Sequence, residues 1–293
     1  MDSNGINVKK ISRIDQQQNA MKSGIITNLD TVLENCRLSI AELTNRLPDE
    51  ELPQYVVMGI AGEYIQGVSI VINYQREENY DYEVTQKEQN NIIRQIKERI
   101  EVNGKEDLGH RTGLQNDDIE ILHITKTGFE IGGMPVESLV GYKGRDVKRN
   151  FYASFAPKTY VEALKKVAQE LGLTVLGIVS QPFAVARAFN GSSSKDFSAI
   201  FIDIGGGTSD IAVVDRGNIT ETKMFAFGGR VFTKEISNIH SLDYRHAEQR
   251  KLKYAEKDIN KDVAREVQKV VYPVAKLWMK TLKTALDRKS TRL

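Results

Sequence analysis

The sequence predicts an α/β fold, and three observations support that prediction. An apolar strand, Ser198 to Ile204, runs into three consecutive glycines, and a second apolar strand, Ile211 to Val214, follows soon after. Apolar residues recur every three or four positions from Asn28 to about Arg46, which is typical of a helix with one buried face. A further apolar strand, Tyr55 to Ile60, comes after that helix. Strands and amphipathic helices therefore alternate, as they do in α/β proteins.

The composition is that of an ordinary globular protein. The 293 residues are 40% hydrophobic and 27% charged, and a net charge of +2 gives no reason to expect nucleic acid as a partner. Cys36 is the single cysteine, which fits a reducing cytoplasm, and its place on an apolar helix face favours a buried residue over a reactive thiol. No apolar run approaches the ~18 residues that would span a membrane. The four histidines lack the spacing of a zinc site.

The first half of the chain carries three helix-start signals. Asn28 is expected to cap the first helix, and Thr85 with Glu88 forms a capping box that opens a second. Pro157 is suited to begin a third helix, which Gly172 ends. The remaining predicted elements are strands at Gly24–Ile26, Tyr55–Ile60, Ile65–Tyr74, Ile119–Ile124 and Arg145–Phe155, and a charged loop from Asn103 to Asp118.

The second half begins with a strand and ends in helices. Thr174 to Val179 is a predicted strand, Phe183 to Phe189 a helix and Ile219 to Phe227 a strand, while Gly228-Gly229 begins a helix that runs to Ile239. The last 53 residues show helical spacing, with Pro273 expected to interrupt the helix. Their apolar stripe is expected to face protein, although Trp278 among lysines leaves a membrane-facing alternative open. The stripe contains Val267, Val270, Val271, Val274, Leu277, Trp278, Leu282 and Leu286.

The stretch best suited to chemistry is Asp203 to Asp210, which reads Asp-Ile-Gly-Gly-Gly-Thr-Ser-Asp. Glycines let backbone N–H groups approach an anion without a Cβ in the way, so Gly205 to Thr208, here named the glycine loop, is a candidate phosphate site. Asp203 can hold a metal-bound water beside that anion. An ordinary glycine hairpin is the alternative. The order acid, glycines, hydroxyl, acid between two core strands favours the phosphate loop.

These eight residues resemble the second phosphate loop of the actin-like ATPase superfamily, and within it the chain most resembles the FtsA-type division proteins. The resemblance covers most of Gly24 to Lys253 and implies a two-lobed actin-like (ribonuclease H-like) fold with an FtsA-type inserted subdomain. The family's first phosphate loop, Asp-x-Gly-x-x, does not precede Gly24, and its later adenosine motif is also missing. We therefore expect a fold that is incomplete at both termini.

The resemblance implies roles for individual residues. Asp203 would act on Mg²⁺ through water, and Asp210 is the closing acid of the loop, with a side chain that merely braces the hairpin as the alternative. Gln181 matches the position that orients the attacking water, with a simple helix cap as the alternative. A carboxamide is a poor base, so any hydrolysis should be slow.

The adenosine side of the site is implied by two further matches. Gly228-Gly229 resembles the family's glycine pair before a helix, and Ala247-Glu248-x-x-Lys251 resembles its Ala-Glu-x-x-Lys. A plain surface ion pair is the alternative for the last two residues. The full set of expected ATP ligands is Gly205, Gly206, Gly207, Thr208, Asp210, Gly228, Gly229, Glu248 and Lys251.

The resemblance also divides the chain. Residues 83–157 are expected to form an inserted α+β subdomain that packs on the first lobe by few contacts. The expected divisions are residues 1–82 and 158–195 for the first lobe, 196–240 for the second lobe with its phosphate hairpin, and 241–293 for the helical start of the second lobe's small subdomain.

The implied function is that of a cytoplasmic division protein at the inner face of the cell membrane. It would bind ATP with Mg²⁺, polymerise with itself, and link a tubulin-like FtsZ ring to the membrane, with weak ATPase activity at most. The inserted subdomain would contact other division proteins, and membrane contact would need a terminal helix that this sequence lacks. A PilM-like adaptor of a type IV pilus platform is the alternative. A sugar kinase is disfavoured, because no cleft aspartate suited to that reaction is found.

Overall fold

A computed structural model describes residues 8–287 apart from 18, 46, 48–51, 63 and 190–196. It begins with a small hairpin of β1 (Met21–Lys22) and β2 (Ile25–Ile26), followed by α1 (Leu29–Thr44). As predicted, Asn28 caps α1 by accepting a hydrogen bond from the N–H of Thr31. The predicted loop at residues 191–195 lies outside the described residues.

The middle of the chain builds a sheet with one long helix on it. Its elements are β3 (Tyr55–Ile60), β4 (Gln66–Gln75), α2 (Gln86–Thr112), β5 (Ile119–Ile131), β6 (Met134–Val136) and β7 (Asp146–Pro157). The predicted loop from Asn103 to Asp118 is wrong over its first ten residues, because α2 continues to Thr112. Gly104 lies inside the helix. The residue there is a glycine because a Cβ would collide with the Phe155 ring. The helix therefore uses glycine for close packing and not as a terminator.

The remaining elements complete the fold. They are α3 (Lys158–Glu170), β8 (Thr174–Ser180), α4 (Gln181–Phe189), β9 (Ala199–Ile204), β10 (Ser209–Asp215), β11 (Asn218–Phe225), α5 (Gly229–His240), α6 (Tyr244–Ala255) and α7 (Lys261–Asp287). β3 and β8 form a separate parallel pair. No helix within the described ranges is long and apolar enough to cross a membrane.

Seven strands form one sheet in the order β6-β5-β7-β4-β11-β10-β9. The expectation that residues 83–157 pack apart from the main sheet is therefore wrong. β4 pairs with β7 along its length and also with β11 through Gly67 and Val68. A Cβ at Gly67 would collide with the hydroxyls of Tyr152 and Thr222, so glycine allows the two halves of the sheet to meet. The segment nevertheless has its own apolar core, formed chiefly by Ile70, Ile72, Ile92, Ile96, Ile100, Leu139, Val147 and Phe151.

Pro273 does not interrupt the C-terminal helix as predicted. α7 runs through Pro273, because Val267 and Val270 before it and Leu282 after it are buried against the protein. The helix crosses β10 and β11, where the Trp278 Nε1–H donates to Ser209 Oγ at 2.8 Å. The Trp278 ring also lies 6.4 Å from that of Phe225. This side of α7 faces protein, as the apolar stripe predicted, although Leu277 is 57% exposed.

Candidate functional site

The glycine loop joins two strands that pair antiparallel, β9 and β10. The Gly205 N–H donates to the Thr208 carbonyl at 2.9 Å, which closes the turn. Gly205 and Gly206 are exposed, whereas Thr208 and Ser209 are buried at the base of the loop. None of the three glycines has a positive φ, so backbone conformation does not require glycine at these positions. The space around each of them is limited instead. A Cβ on any of them would come within 3.3–3.4 Å of a neighbouring atom.

The backbone of the first turn of α5 binds the glycine loop through two hydrogen bonds. The Gly229 N–H donates to the Gly205 carbonyl at 2.9 Å, and the Arg230 N–H donates to the Gly206 carbonyl at 2.7 Å. A Cβ at Gly228 would collide with the carbonyls of Gly205 and Gly206. The glycine pair predicted to make room for a nucleotide therefore also makes room for the loop itself.

Asp203 and Asp210 lie opposite each other on β9 and β10. Asp203 is exposed, whereas Asp210 is buried. Burial, helped by the negative charge of Asp203, raises the pKa of Asp210 from 3.8 to about 7. Within the described part of the chain, Asp210 Oδ1 is buried without a hydrogen-bond partner. A side chain that merely braced the hairpin would have its oxygens bonded, so this finding disfavours that alternative.

Glu248 and Lys251 on α6 reach the same turn of α5. Lys251 Nζ donates to Glu248 Oε2 at 2.8 Å, to Thr233 Oγ1 at 2.9 Å and to the Gly229 carbonyl at 3.3 Å. Burial opposes ionisation of Glu248, but hydrogen bonds from Lys251 and Thr233 outweigh it, and the pKa of Glu248 lies below its ordinary value. The pair is thus tied to the glycine pair and is more than a surface ion pair.

Gln181 begins the helix α4, which packs against β9 and β10, the two strands that the glycine loop joins. It is the exposed first residue of α4, directly after β8, and its Cγ lies 3.4 Å from where a Cβ on Gly59 would stand. The contacts found for the glycine loop go instead to α5 and to Ser23 in the turn after β1. The structure therefore gathers every predicted ATP ligand around one turn, whereas Gln181, predicted to orient water, is not among the residues shown to contact that turn.

Three residues near the loop were missed by the sequence reasoning. Ser23 packs on Gly207, the Arg230 side chain lies over Gly206, and Trp278 bonds to Ser209. Arg230 carried a usable signal, because a cation directly after a glycine pair at a helix start is suited to anions. The positions of Ser23 and Trp278 depend on contacts between residues far apart in the chain.

Comparison with known proteins gives a consistent answer. Residues 200–277 match the model of a family described as cell division protein FtsA. The FtsA of Neisseria meningitidis serogroup B is 28% identical over 257 residues, which cover 86% of this chain and 56% of that protein. The FtsA of Enterococcus hirae is 33% identical over 100 residues, covering 34% of this chain and 23% of that protein. The chain thus spans little more than half of the Neisseria relative.

A solved structure supports the fold independently of sequence. The PilM-PilN type IV pilus biogenesis complex superposes with a TM-score of 0.63 over 92% of this chain and 67% of that chain, at 14% sequence identity. At that identity the likeness speaks to the fold alone. The predicted actin-like α/β fold is confirmed, and the chain is similar in sequence to FtsA cell division proteins.

Proposed function

We propose that this chain binds Mg²⁺ and ATP through the glycine loop, as part of an FtsA-type cell division protein. The observation that carries the proposal is the arrangement around the loop. Its two exposed glycines are held from behind by α5, while the carboxylate of Asp203 stands at one end. The Gly205 N–H closes the turn, and the N–H groups of Gly206 and Gly207, fixed in this way, can bind phosphate oxygens without reorganising.

The residues present fit a magnesium nucleotide. The described residues contain no cluster of three or more His, Cys, Asp or Glu that could hold a metal by themselves. Mg²⁺ usually keeps several waters and is bound by one or two carboxylates together with phosphates, which matches a lone exposed Asp203. When bound, the ion would neutralise phosphate charge. Asp203 would orient one of its waters, and Asp210 would accept a hydrogen bond at its unpartnered oxygen.

Gly228, Gly229, Glu248 and Lys251 form the proposed nucleoside side of the site. Glu248 and Lys251 project from α6 toward the first turn of α5, where the Glu248 carboxylate, held in place by Lys251, could accept a hydrogen bond from a ribose hydroxyl. Gln181 is proposed to orient water for slow hydrolysis.

The cellular role is proposed from the relatives, which are named as cell division proteins. We infer that the whole protein self-assembles and links an FtsZ-like tubulin homologue to the membrane as a peripheral protein at its cytoplasmic side. The segment from β4 to β7 is proposed to contact other division proteins. Its separate apolar core supports a distinct role for that segment.

Titration calorimetry with Mg-ATP tests the proposal. A site with one phosphate loop lacks two or three charge-assisted bonds of about 1.5 kcal/mol each, or roughly a thousandfold in affinity. We therefore expect roughly millimolar binding. Gly206→Val should abolish it, because the new side chain would cover the exposed face of the loop that a phosphate would approach. Gly177→Val is the control, since nothing lies within 4 Å of its Cβ. Submicromolar binding, or equal binding by both variants, contradicts the proposal.

A PilM-like adaptor role is the second candidate, because a chain of the PilM-PilN type IV pilus biogenesis complex has the same fold. Such an adaptor would bind a pilus-platform peptide and not the tail of an FtsZ-like protein. Pull-down with the two peptides side by side separates the roles.

A further inference from the structure

Arg230 lies at the glycine loop with its charged group exposed. Its backbone N–H donates to the Gly206 carbonyl at 2.7 Å, which fixes the residue at the loop. The side chain turns back over the same glycine, with Nε, Cγ and Cδ 3.4, 3.7 and 4.0 Å from where a Cβ on Gly206 would stand. The guanidinium therefore covers the middle of the loop from the side of α5.

A second cation near the loop, Lys251, is already engaged. Lys251 Nζ is held by Glu248, Thr233 and the Gly229 carbonyl, so its three donors are occupied. Arg230 remains exposed and interacts electrostatically with Glu248. Arg230 is thus an exposed cation placed to meet an incoming anion.

A phosphate group that binds beside Asp203 and Asp210 needs a positive charge nearby. Asp203 and Asp210 stand side by side at one end of the loop, and they would repel phosphate oxygens in the absence of a positive charge. Guanidinium is a planar donor that matches phosphate geometry with two parallel hydrogen bonds. The N-terminus of α5 adds a partial positive charge at the same place.

We propose that Arg230 binds the same phosphate group as the Gly206 N–H and makes the site selective for polyphosphates over the nucleoside alone. The inference rests on the proposed function, because it assigns a ligand atom within that site. It adds a phosphate-binding residue outside the glycine loop and names the ligand class as nucleoside di- and triphosphates.

The test compares Arg230→Gln, Arg230→Lys and Lys234→Gln with the unaltered chain. Lys234 is exposed on the same helix one turn further from the loop, so it controls for loss of charge. Phosphorus NMR suits weak binding and would follow Mg-ATP and inorganic tripolyphosphate, while proton NMR would follow adenosine. Thermal unfolding of each variant verifies that it is folded.

We expect Arg230→Gln to weaken Mg-ATP and tripolyphosphate binding about tenfold or more, the range of one charge-assisted contact. Arg230→Lys should restore part of that affinity, since it keeps the charge and loses the paired hydrogen bonds. Lys234→Gln should change affinity less than about twofold, and adenosine binding should be the same in all four proteins.

The outcomes separate this inference from the proposed function. If the unaltered chain binds neither Mg-ATP nor tripolyphosphate, the proposed function fails and the assignment of Arg230 falls with it. If the chain binds both and Arg230→Gln binds them equally well, only the assignment of Arg230 is overturned. Equal weakening by Arg230→Gln and Lys234→Gln also overturns it, because it would show a general charge effect.

Discussion

At the scale of single residues, Asp210 makes stability depend on pH. Burial and then Asp203 raise its pKa from 3.8 to about 7 in the folded protein. Between these values the unfolded chain releases a proton that the folded chain keeps. Folding stability from this group is therefore fully present below about pH 4 and is lost as the pH rises toward 7. Urea unfolding across this range should show falling stability, and Asp210→Asn should flatten that fall.

Asp203→Asn provides the control for this prediction. This substitution removes the charge of Asp203, the smaller cause of the raised pKa of Asp210, and leaves the burial of Asp210 unchanged. The fall in folding stability should therefore persist and occur at lower pH. A slope that Asp210→Asn leaves unchanged would assign the pH dependence to other groups.

Residue chemistry at the loop was partly predictable from the sequence. The order of acids, glycines and threonine indicated a candidate phosphate loop, because phosphate binding depends on residue types at fixed spacing. The contact between Gly228 and Gly205 was not predictable, because it depends on how α5 packs behind the loop. The same is true of the exposed Arg230 over Gly206.

At the scale of elements, α2 shows how packing overrides propensity. Gly104 would ordinarily weaken a helix by about 1 kcal/mol relative to alanine. Its missing Cβ makes room for Phe155 in the core. Gly104→Ala should therefore destabilise the protein by about 1–2 kcal/mol through overpacking, despite the gain in helix propensity. Urea unfolding midpoints measure this, with Val102→Ala, at a side chain 53% exposed, as the control.

A second substitution that compensates for Gly104→Ala provides a further test of how α2 packs on the sheet. Phe155→Leu in the Gly104→Ala background should recover part of the loss, because the smaller side chain relieves the overlap. If Gly104→Ala stabilised the protein instead, α2 and β7 would be able to move apart without a cost in folding free energy.

The segment between β4 and α2 is fixed by one buried arginine. Arg76 is 2% exposed, and its guanidinium donates to both Glu88 oxygens, with Nε to Oε1 at 2.6 Å. The other acceptors are the carbonyls of Asn79, Tyr80, Tyr82 and Gly144. The predicted capping box is thus altered: Thr85 caps α2, while Glu88 binds Arg76.

Arg76→Met should cost about 3 kcal/mol or more, because it leaves a partly buried carboxylate and several carbonyls without their donor. Arg99→Met is the matched control, since that arginine makes one hydrogen bond, to the Asn73 carbonyl at 3.3 Å. Chemical denaturation of both variants measures the difference. Equal effects would mean that the Arg76 contacts are not the source of stability.

At the scale of the whole molecule, the two edges of the seven-stranded sheet differ. β6 is three residues long and contains Pro135, which protects an edge against pairing. β9 is six residues long, and its Ile200, Ile202 and Ile204 are 54%, 42% and 54% exposed. Its sequence contains neither proline nor lysine.

We therefore expect the chain to associate as its concentration rises. Ile200→Lys should suppress this association, whereas Met134→Lys on β6 should leave it unchanged. Sedimentation measured from low to high micromolar concentration gives the answer. Equal association by both variants would assign it to another surface.

The continuity of the sheet was beyond sequence reasoning. Most strands were predicted close to their observed positions, because each has its own apolar pattern, but β6 was missed and β5 runs seven residues beyond its predicted end. Which strands pair depends on Gly67, where β4 meets β11 over two residues. A single glycine carries no signal of that kind in one sequence.

The central claim is that a magnesium nucleotide binds at the glycine loop, and Trp278 provides a direct reporter. It is the single tryptophan, and its Nε1–H donates at 2.8 Å to Ser209 Oγ, next to Thr208. Titration with Mg-ATP should change its fluorescence in a saturable way, half complete at roughly 1 mM, and Gly206→Val should remove the change. An emission spectrum that does not respond to Mg-ATP, or one that responds equally in Gly206→Val, would contradict binding at this loop.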